Sequence, residues 1–221
     1  MILSSLSYKG GVGKSTLAQN LAVYLAHQDY KTCIVDCDES AASTRWSGVR
    51  QENDTEPIVT VFPMTNPKAL INMVKELYAN YDVIIIDGPP SLFPIVSKIL
   101  LLSHLIIIPV TPKGGSDIWV TQDFLERYEE VQQQKETRTP AYFVLNMYRD
   151  NYNLHKAFAG ALEEFGADYD VRVLQTRLGE LVHFGEANSA GLGVIEYSNG
   201  KAARIVRELG DEIIQLSQTK K

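Results

Sequence analysis

The chain has 221 residues, 45% of them hydrophobic and 22% charged, with a formal net charge of −6. That composition excludes disordered, collagen-like and coiled-coil classes, and its acidic balance excludes a globally basic surface, so any contact with nucleic acid has to use a local patch. The length suits one α/β domain over residues 1–221 with a substantial core. The longest apolar runs, residues 83–86 and 105–110, are far too short to cross a bilayer. The opening Met1-Ile2-Leu3-Ser4-Ser5-Leu6-Ser7 has neither the basic region nor the small-residue cleavage site of an export signal, so the expected location is the cytoplasm.

A first strand is expected over residues 1–6. It runs into Lys9-Gly10-Gly11-Val12-Gly13-Lys14-Ser15-Thr16, and the spacing of Leu17, Leu21, Val23 and Leu25 then predicts a helix over 14–28. A second strand, 32–36, delivers Asp36-Cys37-Asp38 and precedes a helix over 43–51. A third strand over 58–62 leads to a helix over 67–80, and a fourth over 83–87 delivers Asp87-Gly88-Pro89-Pro90. A fifth strand over 105–110 precedes a helix over 116–137, whose polar end, 132–139, runs through Pro140 into a sixth strand over 141–146. The remainder reads as a helix over 154–165, a strand over 169–173 and helices over 179–190 and 201–217. Short apolar runs alternating with segments of helical period predict an α/β fold, a mostly parallel twisted sheet with helices on both faces. Cys33 and Cys37 stand roughly 13 Å apart at strand rise, too far to bridge. They form neither a disulfide framework nor a four-ligand metal site, and read as buried strand residues.

A glycine-rich turn between a strand and a helix lets backbone N–H groups converge on an anion, and the helix N-terminus adds positive potential. Residues Gly10, Gly11, Val12, Gly13, Lys14, Ser15 and Thr16 are therefore a phosphate cradle, in which Lys14 reaches the β and γ phosphates and the Ser15 hydroxyl binds Mg²⁺. Tyr8 stands where the usual P-loop pattern has its first glycine. Lys9 is a second cation in a loop whose phosphate lysine is already supplied, so it needs another task. Asp36, Asp38 and Asp87 all fall at strand C-termini, the edge where an open α/β sheet binds ligands, so they converge with the cradle on one crevice.

These segments resemble the deviant Walker A group of ATPases, the ParA/Soj/MinD-type family, whose signature is Lys-Gly-Gly-x-Gly-Lys-[Ser/Thr]-[Ser/Thr]. Lys9 to Thr16, Asp36-Cys37-Asp38 and the Walker B and switch II run to Pro90 carry the likeness, which covers nearly the whole chain. Ser43-Thr44-Arg45-Trp46 and the fifth strand with its exit through Pro112 resemble the small partition ATPases of the family. Glu39-Ser40 departs from the Pro-Gln of many relatives, in switch I, where water positioning and partner response are set. The resemblance implies a single-domain P-loop NTPase that binds ATP and Mg²⁺. In it Lys9 reaches the partner's phosphates across a dimer interface, Asp87 holds a Mg²⁺-bound water, Asp38 orients the attacking water, and Asp36 supports the metal and lysine network. Asn146, at the end of the sixth strand, occupies the place where the family often recognises adenine, a base edge to which an amide can both donate and accept.

The resemblance also implies an ATP-dependent homodimer that binds DNA without sequence preference on the nucleoid, and a ParB-like adaptor that stimulates a weak intrinsic hydrolysis so that a plasmid, chromosome origin or protein assembly is positioned. Lys201, Arg204 and Arg207, spaced by three on one side of a helix, are the best DNA patch, although Glu180 and His183 stand where relatives carry arginines. Since the sequence opens on its first strand, no N-terminal helix-turn-helix and no autorepression are expected. The ending, residues 209–221, has an acidic pair and a short apolar stripe better suited to packing on the body than to a membrane, so no membrane partner is expected. Two other readings stand beside this one: a MinD-like spatial regulator, and a dethiobiotin-synthetase-like ligase that phosphorylates a metabolite carboxylate. A catalytically weak scaffold is a third.

Overall fold

The computed structural model describes residues 1–90 and 94–218, without the side chains of 115 and 116. The last three residues of the acidic, apolar-striped ending discussed above, 219–221, therefore lie outside the described residues. Seven strands form one parallel sheet: β1 (Ile2–Ser5), β2 (Thr32–Asp36), β3 (Thr60–Pro63), β4 (Val83–Asp87), β5 (Leu105–Val110), β6 (Ala141–Leu145) and β7 (Val171–Val173), in the order β3-β2-β4-β1-β5-β6-β7. The helices are α1 (Lys14–His27), α2 (Ala42–Glu52), α3 (Pro67–Tyr78), α4 (Pro94–Leu102), α5 (Gly115–Gln132), α6 (Asn153–Ala167), α7 (His183–Ser189), the single turn α8 (Val194–Tyr197) and α9 (Lys201–Gln218).

All seven strands stand where the sequence placed them, within two residues at most ends. The continuous apolar runs resolve into two faces by strand alternation: Ile84 and Ile86 of β4 join one core cluster with α3, α4, α5 and α6, while Val83 and Ile85 join the other with α1, α2 and α9. Truncating one of these buried isoleucines to alanine would cost about 2–5 kcal/mol. Cys33 and Cys37 are buried free thiols on the first of these faces, and burial pushes the Cys33 thiol up to about 12.

Sequence reasoning missed two elements. Helix α4 has the sequence PIVSKILLL and buries Ile95, Val96, Ile99 and Leu100 between its neighbours. An almost wholly apolar segment has no amphipathic period to reveal it. The four-residue α8 is too short for a periodic signal. Helix α5 ends at Gln132, five residues before the expected 137. There Gln132 Oε1 accepts from Thr139 N at 2.7 Å, and Lys135 Nζ donates to the carbonyls of Leu101 and Ser103 at 3.0 and 3.1 Å, so the polar stretch is tied down as a loop under the sheet.

Strand β1 lies between β4 and β5, so the chain leaves β1 toward one side through α1 and β2 and returns past it from β4 to β5. That reversal of strand order opens a crevice at the C-terminal ends of the central strands. Asp36 pairs in register with Asp87, and Asp87 with Ser5, which sets both carboxylates beside the loop that leaves β1.

Candidate nucleotide site

The loop between β1 and α1 is shaped by two glycines in the left-handed region, Gly11 with φ 71° and Gly13 with φ 97°. Gly13 caps α1, and a Cβ on it would sit 2.3 Å from Asn146 Nδ2. Tyr8 needs no such freedom. Its ring leaves the loop and meets Phe124 of α5 edge-on, with 5.2 Å between centroids, which is why the position tolerates a side chain. Burial pushes the Tyr8 hydroxyl up to about 12.

The two lysines of the loop point to different places. Lys14 is 6% exposed and donates from Nζ to the Lys9 carbonyl at 2.9 Å. Burial lowers its pKa, and Asp87 and Asp38 oppose that shift. The Lys9 ammonium instead ion-pairs with Asp117 in the first turn of α5, with Lys9 about one-third exposed and Asp117 buried. Asp117 is fixed by its other oxygen, Oδ2, which accepts from Lys113 N at 3.1 Å.

The three aspartates differ in how far their oxygens are occupied. Asp36 Oδ2 accepts from Thr44 N and Thr44 Oγ1, both at 2.8 Å, and Oδ1 accepts from Asp38 N at 3.2 Å, so Asp36 anchors the first turn of α2. Asp38 is partly exposed, with Oδ1 accepting from Ser40 N at 2.8 Å. Asp87 is wholly buried. Its Oδ2 accepts from Ser43 Oγ at 2.7 Å, while Oδ1 meets the geometry of a hydrogen bond with none of the described residues, the Ser15 hydroxyl being near enough only to favour the charge. Burial pushes the Asp87 carboxyl up to about 7, against the pull of the Ser43 and Ser15 hydroxyls and of Lys14. A buried carboxylate oxygen without a partner fits a hydrated cation. Among the described residues no three His, Cys, Asp or Glu side chains come together as a metal cluster. The donor set therefore suits Mg²⁺, a hard ion that keeps several waters and takes its remaining oxygens from bound phosphates.

Asn146 is 8% exposed and packs under the loop, donating Nδ2–H to the Val12 carbonyl at 2.8 Å and accepting from Met147 N at 2.9 Å. Lys201, Arg204 and Arg207 lie far along the chain on the exposed side of α9, whose other side buries Ala202, Ala203, Ile205 and Val206. Arg204 reaches Glu208 at 3.9 Å and Arg207 reaches Asn199 at 3.4 Å, so the basic stripe has acidic company on the same helix. Glu180, in the segment before α7, ion-pairs with Arg149 at 2.6 Å.

Sequence reasoning missed Asp117, Ser43, Gln19 and Asn20. The available signal was polarity out of place: Gln19 and Asn20 interrupt the apolar run of α1 and are nonetheless buried, at 1% and 5% exposure. Asn20 accepts from Val194 N and donates to the Thr16 carbonyl, each at 2.8 Å.

A parallel sheet with a glycine-rich loop capping α1 at its switch point, and with carboxylates from the neighbouring strands beside it, defines a P-loop nucleotide-binding protein. The chain belongs to the CobQ/CobB/MinD/ParA nucleotide binding domain family, whose profile matches residues 3–194. It is 26% identical over 217 residues to the maintenance of carboxysome distribution protein A of Halothiobacillus neapolitanus, covering 97% of this chain and 93% of that protein. It is also 26% identical over 235 residues to the chromosome-partitioning ATPase Soj of Thermus thermophilus, covering 93% and 92%. The fold is that of the septum site-determining protein MinD of Pyrococcus horikoshii, solved with Mg-ADP, with a TM-score of 0.75 at 22% identity over 100% of this chain and 98% of that one. No helix among the described residues is long and apolar enough to cross a membrane.

Proposed function

We propose that this chain is a Mg²⁺-dependent ATPase that forms an ATP sandwich dimer, binds DNA without sequence preference, and positions a cargo with an adaptor that stimulates hydrolysis. The observation that carries the reading is the pair of lysines in one loop: Lys14 is folded into its own cradle, while Lys9 turns to Asp117 of α5. A partly exposed cation that its own cradle does not use, once released from Asp117, is suited to the phosphates of a second copy. Nucleotide binding and dimerisation are then one linked equilibrium. The likeness to Soj and to a carboxysome distribution protein supports a positioning role.

In this reading each residue has a role. The N–H groups of Gly10 to Thr16 hold the triphosphate and Lys14 neutralises its charge. Ser15 and a water on Asp87 would hold Mg²⁺, which supplies charge neutralisation at the transferring phosphoryl group. Asp38, the most exposed of the three aspartates, orients water. Asp36 braces this edge through Thr44. Asn146 retains one N–H and one lone pair for the adenine edge. Lys201, Arg204 and Arg207 form the DNA patch. The nucleoid is then the working location, and residues 1–221 act as one domain. The apolar side of α9 is buried against the body, so a lipid-binding regulator draws no support from it.

ATP turnover with and without DNA tests the reading, in the wild type and in Asp38→Ala. Positioned water activation typically contributes about 10²–10⁴-fold, so Asp38→Ala should keep nucleotide affinity and lose turnover by at least about a hundredfold. Unchanged turnover in the variant would reject the role of Asp38. Turnover that depends on a metabolite would favour a ligase, and none at all a scaffold.

A further inference from the structure

Three polar side chains from separated stretches of the chain form a hydrogen-bonded line that ends on Asp87. Asn188 Nδ2, at the end of α7, donates to Gln19 Oε1 at 2.7 Å. Gln19 Nε2 donates to Ser43 Oγ at 3.3 Å, and Ser43 Oγ donates to Asp87 Oδ2 at 2.7 Å. Gln19 is 1% exposed, and Ser43 and Asp87 are 0% exposed. Chemistry fixes the direction of the line. In the ionised form that binds a cation, the Asp87 oxygens only accept, so the one Ser43 proton points at Asp87; the hydroxyl oxygen takes an N–H from Gln19, and the Gln19 carbonyl is left for the Asn188 amide. Leucine and alanine would fill positions 19 and 43 with no polar atom to satisfy, and a buried glutamine or serine is tolerated only where its partners are in place.

We propose that Asn188, Gln19 and Ser43 are positioning residues for Asp87: they hold Oδ2 on a fixed donor, so that Oδ1, which has no hydrogen-bond partner among the described residues, is the one presented to the Mg²⁺–nucleotide complex. The proposal rests on the reading of Asp87 as a carboxylate of that site. Ser43 sits beside Thr44, whose N–H and hydroxyl hold Asp36, so a single turn of α2 orients both strand-end carboxylates. A parallel line from Val194 of α8 through Asn20 reaches the Thr16 carbonyl in the first turn of α1.

The test is the half-saturating Mg²⁺ concentration for binding of a fluorescent, non-hydrolysed ATP analogue to the full chain, measured alongside thermal melting. Loss of a residue that orients a metal-site ligand commonly costs about 10–100-fold in metal affinity. Ser43→Ala should therefore raise the Mg²⁺ requirement about tenfold, with Gln19→Leu and Asn188→Ala shifting it less in the same direction. Asn188→Asp is the diagnostic variant. An acceptor at position 188 turns the Gln19 amide round, and its oxygen then competes with Asp87 for the single Ser43 proton, so this variant should exceed Asn188→Ala. If the three alanine and leucine variants change only the melting temperature while Asp87→Ala raises the Mg²⁺ requirement, the proposal fails and the site reading stands. If Asp87→Ala itself leaves the requirement unchanged, the site reading fails and takes the proposal with it.

Discussion

Gly13 shows how much of a site a single position can hold. Its φ of 97° is a conformation L side chains rarely adopt, and a Cβ would strike the Asn146 amide that braces the Val12 carbonyl. Gly13→Ala should cost about 1–3 kcal/mol in chemical denaturation and should abolish nucleotide binding, because Asn146 cannot yield without releasing the loop. An unchanged midpoint would contradict this. The glycines and Lys14 were legible in the sequence because a phosphate cradle demands those residue types in that order. Asp117 was not, because an acid in the first turn of a helix looks like a favourable charge at a helix N-terminus, and only the fold brings it to Lys9. Gln19 showed only as a polar residue out of place in an apolar run, and Ser43, in a polar stretch, showed not at all, because their partners lie far along the chain.

At the scale of elements, Arg50 ties α2 to α8. It is 2% exposed, its Nη1 and Nη2 reach the two carboxylate oxygens of Glu196 at 2.8 Å, and it also donates to the carbonyls of Pro57 and Gly191. Burial works against the Glu196 charge, but Arg50 with the Gly193 N–H and His27 holds the carboxyl below its usual range. Arg50→Ala should cost about 3–5 kcal/mol in urea unfolding, since it strands a buried charge. A loss under about 1 kcal/mol, the range of an exposed pair, would show that water reaches Glu196. Because the folded pKa is depressed, the contribution of this pair is present above the ordinary glutamate value of 4.5 and is lost as pH falls through the folded value. The strands were readable from apolar runs alone, since each is bounded by turn residues. Helix α4 was not, since almost all its residues are apolar and no polar face marks its period, and the four-residue α8 is too short to show one.

For the whole molecule, nothing in the residue pattern places α9 relative to the nucleotide edge, and the fold puts its basic stripe on the outer surface over the core that also holds α1. If Lys201, Arg204 and Arg207 meet phosphates in pairs across a dimer, Lys201→Ala with Arg204→Ala should weaken DNA retention, flatten its salt dependence, and leave nucleotide affinity unchanged. Identical salt series for the variant and the wild type would move the DNA surface elsewhere.

The claim on which the rest turns is that Lys9 serves the phosphates of a second copy. Sedimentation of the wild type and of Lys9→Ala, each with Mg²⁺ and a non-hydrolysed ATP analogue at saturating concentration, tests it most directly. The account predicts a dimer for the wild type and a monomer that still binds the analogue for the variant. An analogue-bound dimer of Lys9→Ala with wild-type affinity would contradict it.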